Sequence, residues 1–427
     1  MALIDRFLAA RVKRGTLVVH QANGTVRSLG TADPAFPNVT IRFTDKGVTG
    51  FIVRNPGLGA GEAYMQGRMT VDGDDIRGLI TLMTANDIWE GGTDALYASR
   101  PRRMVAAVTR RVGRINMARR SKKNVAHHYD LSDRLYDLFL DSDRQYSCAY
   151  FTDPANSLEQ AQSDKKAHIA AKLALKPGMT VLDIGCGWGG LALYLHEKTG
   201  ADVLGITLSE EQIKVARRRA EEAGVSDKVK FELIDYRHVT GTFDRIVSVG
   251  MFEHVGPPFY RTFLRQCRDL LTEDGVMLLH TIGRAGGPGV TDDWTAKYIF
   301  PGGYNPALSE IVRANEGLRF FLTDVEVLRL HYAYTLDHWY DRTVAARDAI
   351  IALYDEPFYR MWTFYLAGAA AAFRYGSMVN YQLQFAKNRH ILPITRDYML
   401  EGERALREDQ ATGSSAHALE ISASSMA

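Results

Sequence analysis

Up to about residue 95 the chain alternates apolar and polar positions in short stretches, as in Val39-Thr40-Ile41-Arg42-Phe43, broken by Gly, Asn and Asp. A period of two sends successive side chains to opposite faces, so this part predicts antiparallel strands. A helix is predicted to follow, capped by Asp75 and carrying Ile76, Leu79, Ile80 and Met83 on one face. From Asn124 onward strands alternate with helices, the order that builds a parallel sheet. The predicted strands are Thr180–Ile184, Asp202–Ile206, Val229–Ile234, Arg245–Val249 and Val276–His280. The run from Trp362 to Phe373 predicts a helix that is apolar around most of its circumference. At about twelve residues it falls short of the ~20 that a membrane-spanning helix needs. After about Glu401 the chain becomes rich in Ser, Ala and Gly without an apolar period, which predicts a disordered tail.

Between these regions the charge changes abruptly. Arg100, Arg102, Arg103, Arg110, Arg111, Arg114, Arg119, Arg120, Lys122 and Lys123 occur with no acid from Ala95 to Tyr129. Met104, Val105, Val108, Val112 and Ile115 interleave them at helical spacing, which predicts a basic amphipathic helix suited to an anionic membrane surface. A solvated inter-domain linker explains the same residues. The expected organisation is an N-terminal, mostly β (α+β) domain over 1–98 and a basic linker helix over 99–123. A catalytic α/β domain over 124–400 and a tail over 401–427 complete it.

Composition narrows the class. At about 150 residues per domain, 427 residues predict two or three domains. Lys and Arg exceed Asp and Glu by 52 − 50 = 2, so binding nucleic acid through overall charge is excluded. With 46% hydrophobic and 24% charged residues the chain reads as globular. Cys148, Cys186 and Cys267 are widely spaced with no Cys-x-x-Cys, which fits a reducing cytoplasm and gives no zinc signature, so no metal is expected. The stretch Met1 to Val12 lacks the apolar core of a signal peptide.

The most specific motif is Val181-Leu182-Asp183-Ile184-Gly185-Cys186-Gly187-Trp188-Gly189-Gly190, an apolar strand running into glycines and then a helix. Its Gly185-x-Gly187-x-Gly189 spacing differs from the Gly-x-Gly-x-x-Gly of dinucleotide folds, and no Gly-Lys-Ser/Thr follows to make a phosphate loop. It resembles the first motif of S-adenosylmethionine-dependent methyltransferases. That resemblance implies a Rossmann-like α/β fold and cofactor contacts at the carboxyl ends of successive strands. After the second strand, Gly205 to Gln212 carries polar side chains where other members of the class have a ribose-binding acid. After the third stands Asp235-Tyr236-Arg237, with Asp235 suited to accept from an adenine amino group. Ser209 also reads as a helix cap.

Nucleic-acid methylation finds no support. Gly250-Met251-Phe252-Glu253-His254-Val255-Gly256 occupies the place of the Asn/Asp-Pro-Pro-aromatic motif of amino-methylating enzymes, and no Pro-Cys nucleophile occurs. Four dispersed segments stand out instead: Gln145 to Phe151, Met251 to Gly256, Leu279 to Gly283 and His331 to Trp339. Together they closely resemble cyclopropane fatty acid synthases, with similarity from His127-His128-Tyr129-Asp130 to Leu392-Pro393-Ile394-Thr395-Arg396-Asp397-Tyr398.

The resemblance implies transfer of the S-adenosylmethionine methyl to a cis double bond of a phospholipid acyl chain, with ring closure on loss of a proton to bicarbonate. It puts the bicarbonate between the backbone of Cys148, the side chains of Glu253, His280 and Tyr332, and the backbone of Ile282. For the cofactor it implies Tyr146, Ser147, Asp183, Gly185, Gly187, Gly189, Thr207, Leu208, Gln212, Asp235 and Tyr236. It further implies a homodimer formed through the N-terminal domain, while the basic segment combined with an apolar acyl tunnel predicts a peripheral enzyme on the cytoplasmic face of the inner membrane. Trp294, Tyr298, Ile299, Phe300 and the Trp362 to Phe373 helix are suited to line an acyl tunnel. Taken singly, His280 also reads as a hydrogen-bonded core histidine, Tyr332 as packing and the apolar helix as ordinary core; His254 reads as structural. Two other functions fit the same segments: a fatty-acyl C-methyltransferase that leaves a methyl branch without a ring, and a non-catalytic lipid-binding protein.

Overall fold

The computed structural model describes residues 3–91 and 132–408. The linker helix expected over 99–123, and the tail beyond 408, lie outside the described residues. Two compact units divide the chain. The first draws on Met1–Leu140, Gly283–Ala307 and Tyr332–Val379, the second on Asp141–Ile282, Leu308–His331 and Asn380–Ala427.

In the first unit, β1 (Gly15–His20), β2 (Val26–Thr31), β3 (Asn38–Phe43) and β4 (Met69–Val71) form a sheet of order β2-β1-β3-β4. Leu17, Val19, Val39, Ile41 and Phe43 bury the alternate positions that the sequence pattern marks. The sheet is not wholly antiparallel as expected: β1 and β3 are parallel. Alternation specifies which face is buried and not strand direction, and a chain that reverses after β2 and pairs with the far edge of β1 must run parallel to it. The helices Leu3–Arg11, Val48–Arg54, Gly59–Met65 and Ile76–Thr84 make this part more helical than a mostly β reading. Asp75 caps the last of them, accepting from the Gly78 N–H at 2.8 Å, and Ile76, Leu79 and Leu82 are buried.

The predicted apolar helix is longer than its apolar run. It spans Glu356–Arg374, with Asp355 accepting from the Phe358 N–H at 2.7 Å and a proline in the first turn. It packs on the helices Gly59–Met65 and Ile76–Thr84, and the Phe364 ring lies 4.8 Å from Trp294 and 6.2 Å from Tyr64. Its apolar circumference is thus accounted for by burial within this unit. Among the described residues no helix is long and apolar enough to cross a membrane.

The second unit is built on a seven-stranded sheet of order β10-β11-β9-β8-β5-β6-β7. Its strands are β5 (Thr180–Ile184), β6 (Asp202–Thr207), β7 (Val229–Leu233), β8 (Phe243–Val249), β9 (Leu271–Arg284), β10 (Phe321–Leu328) and β11 (Met378–Ala386). Four of the five predicted strands match closely; β9 extends at both ends, opening at Leu271 with an irregular register against Phe243. Pairing is parallel from β5 to β6, β6 to β7, β5 to β8 and β8 to β9. The chain therefore builds outward from β5 in one direction and returns to β8 to build in the other. The carboxyl ends of β5 and β8 flank the point of reversal, where open α/β sheets bind ligands. A helix over 397–408 runs through the position where the tail was expected to begin. Buried Met399 and Glu403 anchor it, and Arg407 pairs with Asp164 at 3.1 Å.

Candidate active site

The glycine turn follows β5 directly. Gly185, Gly187 and Gly189 all have positive φ, at 89°, 54° and 85°. A Cβ on Gly189 would lie 2.7 Å from the Phe231 ring, whereas one on Gly187 would meet nothing within 4 Å. Gly189 is thus demanded by packing, and Gly187 leaves room beside a left-handed backbone. Asp183, on β5 just before the turn, is 1% exposed, and its Oδ2 has no hydrogen-bond partner among the described residues. Burial pushes its carboxyl up to about 7, against the pull of the Lys165 ammonium.

After β6, the Thr207 hydroxyl donates to Gln212 Oε1 at 3.0 Å, and Ser209 caps the helix Glu210–Glu222 through the Gln212 N–H at 3.3 Å. Thr207 and Gln212 are buried, and Leu208 beside them is half-buried. The expected polar group therefore exists as a connected set, with Ser209 in its capping role. After β7, Asp235 is paired within the chain: Arg237 engages both its oxygens, Nε to Oδ1 at 2.8 Å and Nη2 to Oδ2 at 2.5 Å. Burial raises the Asp235 carboxyl, but Arg237 outweighs it and the net shift is downward. Tyr236 is half-buried, its ring edge-on to Phe263 at 5.1 Å.

The loop carrying Tyr146 and Ser147 is held by residues that sequence reading missed. From the helix Leu158–Leu173, Gln162 Nε2 donates to the carbonyls of Gln145 and Ser147 at 3.1 and 3.0 Å. Lys165 Nζ donates to Gln145 Oε1 at 2.7 Å and Ser147 Oγ at 2.9 Å. Lys165 is 1% exposed, and burial lowers its ammonium to about 8 although Asp141 opposes the change. The signal was present in the sequence: Gln162, Lys165, His168 and Lys172 recur three or four apart among alanines. This polar stripe is buried, on a helix that is covered around most of its circumference.

Around the end of β8, Glu253 is 6% exposed. Its Oε1 accepts from the Ile282 N–H at 2.6 Å, and its Oε2 has no hydrogen-bond partner among the described residues. Burial pushes the carboxyl up to about 7, with the Ile282 N–H pulling the other way. Ile282 is expected to meet a ligand through its backbone; here its N–H serves Glu253 and its carbonyl accepts from Thr281 Oγ1 at 3.1 Å. His280, on β9, has Asn380 Nδ2 at 3.3 Å from Nε2 and Gln382 Nε2 at 3.2 Å from Nδ1. Burial lowers it to about 3, so the ring is neutral. The Cys148 thiol is buried and donates to the Ala149 carbonyl at 3.3 Å. His254 is brought down to about 4 by burial. Tyr332 belongs to the first unit, where it is buried and edge-on to Trp339 at 5.8 Å and Phe373 at 4.9 Å.

A glycine turn at the sheet's point of reversal, with a buried carboxyl before it whose Oδ2 has no hydrogen-bond partner among the described residues and polar side chains after β6, suits a ligand bearing both a cationic amino group and ribose hydroxyls. This is the architecture of class I S-adenosylmethionine-dependent methyltransferases, and the protein is an enzyme of that class. More narrowly, residues 116–383 match the model of the mycolic acid cyclopropane synthetase family, and the chain belongs to that family. It is 36% identical over 375 residues to a probable fatty acid methyltransferase of Pseudomonas putida, covering 85% of this chain and 92% of that one. To the cyclopropane-fatty-acyl-phospholipid synthase of Escherichia coli (strain K12) it is 39% identical over 336 residues, 79% of this chain and 85% of the relative. A crystal structure of a mycolic acid cyclopropane synthase complexed with SAH and CTAB superposes with a TM-score of 0.59 at 36% identity. It covers 62% of this chain and 97% of that one.

Proposed function

We propose that this chain is a cyclopropane-fatty-acyl-phospholipid synthase that uses bicarbonate as the base for ring closure. The observation that carries the reading is Glu253, buried, raised to about 7, with Oε2 unpartnered among the described residues. The named activities of the relatives support a lipid acyl chain as substrate.

When bound, S-adenosylmethionine supplies an electrophilic methyl group; Asp183, the turn at Gly185 to Gly189, Thr207, Leu208, Gln212, Tyr146, Ser147, Asp235 and Tyr236 are the residues proposed to hold it. An alkene is a weak nucleophile, so the protein must contribute position and dryness more than chemical activation. Bicarbonate, when bound, supplies a small weak base. A carboxyl near its midpoint at neutral pH, as at Glu253, can give a proton to a neighbouring oxygen or take one back. A neutral His280 adds one donor without adding charge. Cys148 contributes its main chain in this reading, in keeping with its engaged thiol. The basic segment around Arg110 to Lys123 supports attachment to the anionic inner face of the cytoplasmic membrane.

The direct test is methyl transfer to phospholipid vesicles in buffer stripped of carbon dioxide. The reading expects the rate to collapse and added bicarbonate to restore it; a rate indifferent to bicarbonate would overturn the proposed base.

A further inference from the structure

The proton on His280 is assigned by its neighbours. Lys172, on the helix Leu158–Leu173, donates to Gln382 Oε1 at 2.8 Å and also to Glu326. An ammonium has donors and no acceptor, so the Gln382 atom facing Lys172 must be the carbonyl oxygen. The other end of the same amide, its NH2 group, then faces His280 Nδ1, 3.2 Å away. An amide NH2 only donates, so Nδ1 accepts and carries no proton. Because burial keeps the ring neutral, its single proton resides on Nε2.

We propose that Glu326, Lys172 and Gln382 are positioning residues that lock His280 in its Nε2–H form, ready to donate to an oxygen of the reacting site. On the Nε2 side Asn380 Nδ2 lies 3.3 Å away, while Asn380 Oδ1 is buried with no hydrogen-bond partner among the described residues. Two donors face each other there. Reversing the Asn380 amide sets Oδ1 against Nε2–H and satisfies both groups. Asn380 is thus the resting acceptor, and a bound anion is the alternative one.

The far end of the relay is anchored. His168 bridges two carboxyl groups, its Nε2 2.7 Å from Glu326 Oε2 and its Nδ1 2.8 Å from Glu403 Oε2. Tyr150 stacks on His168 at 4.0 Å and on His331 at 4.9 Å, and His331 Nδ1 accepts from the Phe151 N–H at 2.9 Å. Burial disfavours the Glu326 charge, but His168 and Lys172 outweigh it and hold the carboxyl at about 2. Burial also lowers Lys172, with Glu326 pulling the other way. A fixed carboxylate beside Lys172 keeps the ammonium in place, and with it the orientation of the Gln382 amide.

The tie to activity rests on the role given to His280 under Proposed function; the tautomer itself does not. The experiment is nitrogen NMR of the full chain labelled with 15N-histidine, the His280 signals identified by their loss in His280→Gln. The expected spectrum at neutral pH has a pyridine-type Nδ1 and a pyrrole-type Nε2. A pyrrole-type Nδ1, or an imidazolium, would overturn the assignment, and needs no variant of the relay to be stable. In Gln382→Glu a carboxylate can accept from Lys172 and from Nδ1–H together. The tautomer should then swap, and kcat should fall by at least about 10-fold with little change in the KM for S-adenosylmethionine. A swapped tautomer with unchanged kcat would overturn the link to catalysis. Loss of bicarbonate dependence would separately overturn the reading beneath it.

Discussion

The main-chain N–H of Ile282 donates to Glu253 Oε1 at 2.6 Å, so a backbone group near the end of β9 aims the carboxyl that follows β8. One oxygen is fixed by a backbone group that only proline at position 282 would remove, and the other, Oε2, has no hydrogen-bond partner among the described residues. Glu253→Gln preserves shape and the Ile282 contact if its carbonyl oxygen takes the Oε1 position, but it can no longer exchange a proton. Ring formation should slow by roughly 10²-fold, while cofactor affinity by calorimetry changes little. A loss confined to S-adenosylmethionine binding would move Glu253 into the cofactor site.

The same burial makes opposite pH signatures. His280 is held at about 3 against an ordinary 6.5, so below about 6.5 the unfolded chain takes up a proton that the folded one refuses. Its contribution to stability is whole above 6.5 and is lost progressively as pH falls toward 3. Glu253, raised from 4.5 to about 7, contributes in full below 4.5 and loses that contribution as pH rises through 7. Melting temperatures of His280→Gln, relative to the parent, should therefore rise as pH is lowered from neutral. Those of Glu253→Gln should rise relative to the parent as pH is raised. Differences flat in pH would mean that neither group is buried as described.

Two neighbouring glycines should respond differently to alanine. Gly189→Ala drives a Cβ into the Phe231 ring at 2.7 Å and forces a non-glycine residue to φ 85°, so it should unfold or strongly destabilise the second unit. Gly187→Ala meets no neighbour and bears only the left-handed backbone cost of about 1–2 kcal/mol. It should melt close to the parent yet bind S-adenosylmethionine more weakly, because the added methyl occupies the open side of the turn. Unaltered binding in a folded Gly187→Ala would show that the turn does not cradle the cofactor.

Much of this was legible before the fold was known. The strands β5 to β8 announce themselves as short apolar runs bounded by Gly, Asp and Ser, and the glycine spacing marks the cofactor class. What stayed hidden has a common physical cause: polar residues buried in mutual contact. β11 alternates Val379, Tyr381, Leu383 and Phe385 with Asn380, Gln382 and Gln384, a pattern that reads as half-exposed; yet both faces are covered. The helix Leu158–Leu173 likewise turns Gln162, Lys165, His168 and Lys172 inward, where a hydropathy reading expects them in water. The Asp235–Arg237 pair was missed because Asp235 was read only toward an adenine amino group, without weighing the guanidinium two residues on.

Surface charge makes a prediction of another kind. Neutralising Arg110, Arg111, Arg119 and Arg120 removes four positive charges from a segment without acids and should weaken binding to anionic vesicles. Each charge is worth about 1 kcal/mol near such a surface. Added salt should shrink the difference between parent and variant. Equal vesicle binding at low salt would remove this segment from the membrane contact.

The central claim is tested most directly by mass spectrometry of cis-unsaturated phospholipid vesicles incubated with the pure protein and methyl-labelled S-adenosylmethionine, with degradation to locate the added carbon. The expected product is an acyl chain heavier by one labelled CH2, saturated, with the carbon in a ring across the former double bond. A labelled methyl branch beside a retained double bond would contradict ring closure.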